Sequence, residues 1–325
     1  MRFAKGHGTE NDFVILLDPD DSGGLTADLT ARLCDRRAGI GADGVLRAVR
    51  AAARGIAGRA DAGPEPASGA DGPEWFMDYR NADGSVAEMC GNGIRVFARY
   101  LVRHGLAEGP EFTVATRSGP RLIRMGTDGA VTVDMGAVAV LGPGSAVIAG
   151  QEYPGLRVSV GNPHLACLVD GPLSSFDLSR APGLDPGQFP GGGNVELVQV
   201  TGPASVAMRV HERGSGETRS CGTGAVAAAA AAATGSDGTW DVRVPGGDLK
   251  VTLEGGRAWL TGPAVIVAEG ELDPSWLATG HLASAGTVPR ANPARGRPAA
   301  GRRPFSSSRP AGPGTGRRQD GAGRS

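Results

Sequence analysis

Two cysteines carry the chemistry this sequence offers. Cys90 stands in Cys90-Gly91-Asn92-Gly93 and Cys221 in Cys221-Gly222-Thr223-Gly224, and each runs into a helical pattern. A cysteine at a helix mouth lies beside unpaired backbone N–H groups and the positive end of the helix dipole. Both favour thiolate and predict a pKa below the free value of about 8.5. The same N–H groups can hold a carboxylate, and the glycines around Asn92 and Thr223 let backbone approach a ligand without a Cβ clash. Two such turns facing one another would grip one carboxylate from both sides and aim a sulfur at each face of the neighbouring carbon. If that carbon is the α-carbon of an amino acid, one thiolate removes its proton and the opposite thiol returns one on the other face. This is two-base racemisation or epimerisation, a form of general acid–base catalysis. Fixed dipoles in a closed, dry site would stabilise the developing carbanion.

A single cysteine of this kind would read as an inert small hydrophobe; the repeated Gly-x-Gly context directs the pair to chemistry. Cys34, on a helical face beside Leu33, and Cys167, inside an apolar strand run, read as packing residues. None of the four has the short Cys-x-x-Cys spacing of a zinc or redox site, so no metal is assigned.

Repeated elements must position these turns. A glycine turn at residues 6–12 leads into the strand Phe13–Leu17. Thr26 is placed to cap a helix that buries Leu25, Leu29 and Leu33 and stops at Gly39. The strand Val45–Val49, the strand Trp75–Tyr79 and the Asn81 turn bring the chain to Cys90. Ile94, Phe97, Ala98, Leu101 and Val102 then form a helical stripe ending at Gly105. Three strands follow, over 111–116, 121–125 and 131–135. Near residue 137 the order restarts: strands over 156–160 and 165–169 flank the turn Gly161-Asn162-Pro163-His164. A Pro/Gly loop over 171–193 precedes strands over 195–200 and 206–210. The polar turn 211–224 opens the helix Ala225–Ala233, and four more strands and a short closing helix over 272–282 complete the series. The expected fold is α+β: two pseudo-symmetric duplicated domains, each a curved, mostly antiparallel sheet around a central helix. The first half takes residues 1–136, completed by 271–283, and the second takes 137–270. Their polar turns would face each other across a cleft.

Two segments stand outside this plan. Residues 50–73 are Ala, Gly, Arg, Pro and Asp with almost no large apolar residue, and read as a mobile insertion in a hairpin. Residues 286–325, with nine arginines and the single acid Asp320, read as a basic disordered tail. The 325 residues carry a formal charge of -1 and 40% hydrophobic residues. That balance gives no argument for nucleic acid or a membrane surface as partner of the folded part. The longest apolar run, Ala225–Ala233, is too short to span a bilayer. No signal-peptide order is visible in residues 1–17, so the expected location is cytoplasmic, where the thiols stay reduced.

Further stretches surround the two cysteine turns in a fixed order. They are Gly8-Thr9-Glu10-Asn11-Asp12-Phe13, Gly39-Ile40-Gly41-Ala42-Asp43-Gly44, Asn81-Ala82-Asp83-Gly84-Ser85, Gly161-Asn162-Pro163-His164, Asn194-Val195-Glu196, and Glu212-Arg213-Gly214 ahead of Cys221. Across roughly residues 3–270 the chain thereby resembles the diaminopimelate epimerase family. The resemblance implies interconversion of LL- and meso-2,6-diaminopimelate in lysine and peptidoglycan-precursor synthesis, without pyridoxal phosphate or another cofactor. It implies a homodimer, Cys90 and Cys221 as the acid/base residues, and substrate binding by Asn11, Asn81, Gly91, Asn92, Asn162, Asn194, Glu212, Arg213, Gly222 and Thr223. His164 and Glu212 would tune proton traffic around the thiols.

The chemistry of these residue types agrees. Arg213 can fork onto a distal carboxylate, Glu212 can pair with an ammonium, and asparagines offer donors and acceptors to a zwitterion. His164 reads equally as a structural histidine, and Asn11 and Asn162 also suit turns. Met89 and Gly44 stand where relatives carry glutamine, which bears on the finer substrate contacts. Two other readings remain at this level: a two-cysteine racemase of the proline racemase kind, and a non-catalytic amino-acid-binding protein.

Overall fold

The structure is a computed structural model that describes residues 1–22, 24–54 and 72–283. The chain runs β1 (Arg2–Gly8), β2 (Asn11–Leu17), α1 (Ala27–Cys34), β3 (Gly44–Arg50), α2 (Ala51–Arg54), β4 (Trp75–Asn81), α3 (Gly91–Arg103), β5 (Glu111–Thr116), β6 (Gly119–Met125) and β7 (Val131–Ala137). It continues through β8 (Ala139–Ile148), β9 (Gln151–Ser159), β10 (Pro163–Leu168), β11 (Gly183–Leu184), β12 (Asn194–Gly202), β13 (Ser205–Glu212), β14 (Gly216–Thr218) and α4 (Gly222–Ala233). β15 (Gly238–Val244), β16 (Gly247–Glu254), β17 (Arg257–Gly262), β18 (Val265–Glu271) and α5 (Pro274–Ala283) close it.

Strand pairing shows the duplication directly. β1–β2 is antiparallel, β2–β3 parallel, β3–β4 antiparallel, β4–β5 parallel, and β5–β6–β7 antiparallel. The second half repeats that order with β9, β10, β12, β13, β15, β16 and β17. A helix fills the same parallel crossover in each half, α3 before β5 and α4 before β15. The halves join where β7 pairs antiparallel with β17. Each half also gains one strand from across the joint: β8 lies on β9, and β18 lies on β1. The residues just before 270 therefore pair with the first half's sheet.

Burial on both faces explains the apolar strand runs. In β2, Phe13 and Ile15 face α3, while Val14 and Leu16 pack under α1 and against Leu272, with Trp276 and Leu277 of α5 alongside. Trp276 fastens α5 by donating from Nε1 to the Ala38 carbonyl at 3.1 Å. In β10 and β12, Leu165, Cys167, Val195 and Leu197 point the other way from α4, and the loop residues Leu178 and Phe189 cover them. Each large side chain such as Phe97 or Leu101 on α3 contributes roughly 1.5–3 kcal/mol by leaving water. α4 is nearly all alanine and is buried almost all round, so small side chains let the sheet wrap it closely. Among the described residues no helix is long and apolar enough to cross a membrane.

Local expectations mostly hold, with informative differences. Thr26 does cap α1, accepting from Leu29 N at 3.1 Å. The helix ends at Cys34 rather than Gly39, because the Asp35 carboxylate takes the N–H groups of Arg37 and Ala38 at 2.7 and 2.6 Å and turns the chain. Of the long hairpin β8–β9 only the end of β9 was read from sequence, as the strand over 156–160; in β8, Gly142-Pro143-Gly144 breaks the alternation that marks a strand. Arg50 and Trp75 pair at the open end of the β3–β4 hairpin. Of the insertion expected between them, residues 55–71 lie outside the described residues, as does the expected tail 286–325.

A buried charge cluster locks the first half. Arg47, 5% exposed, holds Asp18 and Asp78 at 2.8 Å and Asp21 at 2.7 Å. Burial alone would raise Asp78, yet Arg117, Arg47 and Arg80 outweigh it and hold the carboxyl below its usual range. Its stabilisation is therefore present above the unfolded carboxyl value and lost as pH falls through the lower folded one. Arg47→Met takes the shared counter-ion from buried Asp78, which keeps Arg80 and Arg117, and from half-buried Asp18 and Asp21. A loss of about 3–5 kcal/mol in denaturant unfolding is expected.

Candidate active site

Both expected cysteines are helix N-caps, and their geometries match. Cys90 (φ -137, ψ 120) accepts from Gly93 N at 3.3 Å, and Cys221 (φ -127, ψ 119) accepts from Gly224 N at 3.4 Å. The helices begin at Gly91 and Gly222, three residues earlier than the apolar stripes alone suggested. Those two glycines meet. A Cβ on Gly222 would sit 3.0 Å from Gly91 Cα, and a Cβ on Gly91 would sit 3.3 Å from Gly222 Cα, with Leu260 3.0 Å from either. Only glycine at both positions lets the two helix mouths abut backbone to backbone. Asn92 ties them further, donating across the joint to the Ser220 carbonyl at 3.0 Å. Thr9 completes the seam through Ser220 Oγ at 2.6 Å.

The thiols lie in one neighbourhood. Tyr79 feels negative charge from both Cys90 and Cys221, and Glu212 acts on both sulfurs. Their titration corrects the sequence expectation of a lowered pKa. Burial pushes Cys90 up to about 11; the Gly93 N–H opposes this and the Glu212 carboxylate adds to it. Burial, then Glu212 and Glu196, hold Cys221 well above the ordinary thiol range, against the bonds from Thr223 and Gly224. The helix-mouth donors are present as expected, but loss of water outweighs them. Glu212 is itself raised, first by burial, while bonds from Thr218 and Cys221 favour its charged form.

The remaining expected residues ring these sulfurs. Asn11 Oδ1 lies 3.6 Å from Cys90 Sγ and accepts from Asn92 Nδ2 at 3.3 Å; its Nδ2 donates to Asp43 at 2.7 Å. Asn162 bridges His164 Nε2 at 2.9 Å and Thr223 Oγ1 at 3.3 Å, and Thr223 Oγ1 reaches Cys221 Sγ at 3.5 Å. Asn194 Oδ1 accepts the Arg213 N–H at 2.9 Å. The Arg213 side chain is exposed at the rim, where it touches the Gly191 carbonyl at 3.2 Å. Asn81 stands at the end of β4 and bonds within its own turn, to Ser85 Oγ at 3.0 Å, rather than to another expected site residue. Gly44 leaves no room for a side chain, since a Cβ would lie 2.5 Å from the Arg80 carbonyl. Met89 packs on the main core. Cys34 and Cys167 are buried packing residues, as read.

Sequence reading missed two residues here. Glu196 is fully buried, 2.7 Å from His164 Nδ1, and its Oε2 has no partner. It was legible in principle: it lies two positions after Asn194 on one strand and so shares its face. Tyr79 was read only as the end of a strand, and nothing local to it signals that both thiols act on it.

The sequence profile of the family described as "Diaminopimelate epimerase" matches residues 3–141 and 156–270. The chain is 58% identical over 277 residues to "Diaminopimelate epimerase" of Thermobifida fusca, covering 84% of this chain and 98% of that one. It is 54% identical over 287 residues to "Diaminopimelate epimerase" of Rhodococcus opacus, covering 85% and 98%. Among solved structures, a hydroxyproline epimerase from Agrobacterium vitis shares the fold with a TM-score of 0.57 at 14% identity, over 85% of this chain and 94% of that one.

Proposed function

The chain belongs to the diaminopimelate epimerase family, and on that premise we propose that it interconverts LL- and meso-2,6-diaminopimelate with Cys90 and Cys221 as the two acid/base groups. One sulfur, as thiolate, takes the α-proton from its face of the substrate. The carbanion flattens, and the other sulfur, as thiol, delivers a proton to the opposite face. The pair ends with its protonation reversed, ready for the reverse reaction. The backbone turns Gly91-Asn92 and Gly222-Thr223 hold the reacting carboxylate, with both helix dipoles aimed at the developing charge. Glu212 takes the ammonium beside the reacting carbon, and exposed Arg213 takes the distal carboxylate. Asn11, Asn81, Asn162 and Asn194 orient the rest, and His164 tunes Cys221 through Asn162 and Thr223.

The observation that supports this reading best is the Gly91–Gly222 contact, which sets two thiol-bearing helix mouths against each other. With Cys221 buried and Cys90 half-buried, the pair fits a site kept dry, where a weakly acidic α-proton and a thiol of raised pKa come closer in acidity. The same reading makes the enzyme an isomerase of lysine and peptidoglycan-precursor synthesis, a cytoplasmic homodimer with two duplicated halves as its jaws, and independent of pyridoxal phosphate or metal. The test is α-hydrogen exchange in D₂O. Purified protein is expected to wash deuterium into LL-diaminopimelate while forming the meso isomer. Exchange on proline with none on diaminopimelate would replace this reading with a proline racemase, and binding without exchange on either would leave a binding protein.

A further inference from the structure

Arg95 is one helical turn beyond Cys90 on α3 and is 0% exposed. Its guanidinium donates to the Gly91 carbonyl at 3.1 Å, to Thr9 Oγ1 at 3.4 Å and to the Pro263 carbonyl at 3.4 Å. Gly8 and Gly262 make room for it: a Cβ at either would lie 3.0 or 3.3 Å from guanidinium atoms. All of these partners are neutral. Among the described residues no carboxylate forms an ion pair with Arg95, whereas Arg47, also buried, holds three. A buried cation with no counter-ion is costly, so such charges are normally paired. Burial pushes Arg95 down to about 10, still charged at neutral pH, and the single ionisable group that acts back on it is Cys90.

The other helix mouth has the opposite character. Counting from the cysteines, Arg95 corresponds to Val226, which is fully buried and neutral. The strand residue beneath Gly93 is Leu46, whereas beneath Gly224 it is Glu196. Cys221 thus faces two carboxylates, Glu212 and Glu196, with the imidazole of His164 on the latter. Cys90 has Asn11 from β2 at its sulfur and the charge of Arg95 further along its own helix, with Tyr79 from β4 and Glu212 from β13 in the same field. The pseudo-twofold that repeats the backbone does not repeat the charge.

We propose that Arg95 is the positioning charge that decides which thiol ionises, keeping the negative charge of the pair on Cys90 and the resting proton on Cys221. This rests on the two-thiol reading above. When the pair has lost one proton, Arg95 fixes which sulfur holds the other. The base then stands on the Cys90 face and takes first the stereoisomer whose α-hydrogen points there. The opposite stereoisomer requires the proton to be on Cys90, a state Arg95 opposes.

The experiment titrates thiolate absorbance in the full chain without substrate, in wild type, Cys90→Ala, Cys221→Ala, Arg95→Met and Arg95→Lys. Peptide mapping of iodoacetamide labelling assigns each site, against Cys34 and Cys167 present in all. The earlier-ionising of the two thiols is expected to vanish in Cys90→Ala and persist in Cys221→Ala. In Arg95→Met the Cys90 midpoint should rise by about one to three pH units, and its labelling near neutrality should slow by the matching factor of about 10–1,000. Arg95→Lys, which keeps a charge, should keep Cys90 ahead of Cys221. Earlier ionisation of Cys221 in wild type, or a folded Arg95→Met with an unmoved Cys90 midpoint, overturns the assignment. Should Arg95→Met fail to fold, the wild-type order and Arg95→Lys decide it: loss of Cys90's lead in a folded Arg95→Lys marks Arg95 as structural only. Because thiol ionisation is read without turnover, failure of the diaminopimelate assay would sink the function above and leave this result standing.

Discussion

Cys90→Ala and Cys221→Ala are each expected to lower the rate of LL-to-meso epimerisation by about 10²–10⁴-fold, the usual worth of a positioned acid or base. Both residues are N-caps, so either change also removes one capping contact, at a cost of about 1 kcal/mol. That is small beside the stability of a folded chain of this size, and a melting curve should show each variant folded. The two variants should fail in a distinctive way. The remaining sulfur can still take a proton from its own face and return one to that face. Each single variant should therefore exchange α-hydrogen with D₂O in one stereoisomer without inverting it. That pattern separates loss of one partner from collapse of the site. Epimerisation at the wild-type rate in either variant would end the two-thiol mechanism. The effects of the two changes should be far from additive, since the residues act as one unit.

Gly222→Ala is expected to cost about 10–100-fold in kcat with the protein still folded. The new Cβ would fall 3.0 Å from Gly91 Cα and 3.0 Å from Leu260 Cδ2. Leu260 can turn aside, but the backbone of Gly91 cannot, so one helix mouth must retreat from the other. Each sulfur rides on its helix as the N-cap, and a shift approaching 1 Å at the reacting atoms costs on the order of 10²-fold. Gly93→Ala provides the contrast. Its Cβ would meet the Leu46 and Phe13 side chains at 3.2 and 3.3 Å and the Cys90 Cβ at 3.3 Å, side-chain atoms that yield more easily than a main chain. A smaller loss is expected there. If Gly222→Ala turns over like wild type, the contact between the mouths is packing and not part of catalysis. Steady-state kinetics on both stereoisomers, beside a denaturant melt, make the measurement.

Much of the site was legible because its signals are local. Cysteine before Gly-x-Gly at the start of a helical stripe is a statement about a few neighbouring residues, and backbone geometry near them obeys it: both sulfurs cap their helices as read. Strand alternation and turn glycines likewise act over a few positions, and they revealed the repeat. The order of the motifs then pointed to the family. Where local pattern was weak, reading failed. β8 and the start of β9 are interrupted by glycine and proline and half-exposed, so no periodicity marks them. The strand β18 follows directly on the second half, and no neighbouring residue announces that it pairs with β1.

What the sequence by itself determined is which groups exist and how each sits on its own turn: two capped thiols, their donor N–H groups and the polar residues around them. What only the tertiary structure decided is how those groups feel one another. Asn92 and Ser220 touch across 128 positions of chain, and the glycines that let them do so carry no side chain to advertise it. The thiol pKa values rose where a helix-mouth rule predicts a fall, because the loss of water around each sulfur outweighs a dipole that acts from one side. Arg95 lies on a helix whose stripe says nothing of its solitude, since a missing counter-ion is a property of all the elements packed around it. Hydrogen bonds within a turn are set by adjacent residues, whereas desolvation and Coulomb energy sum over neighbours that the chain brings together from anywhere along its length.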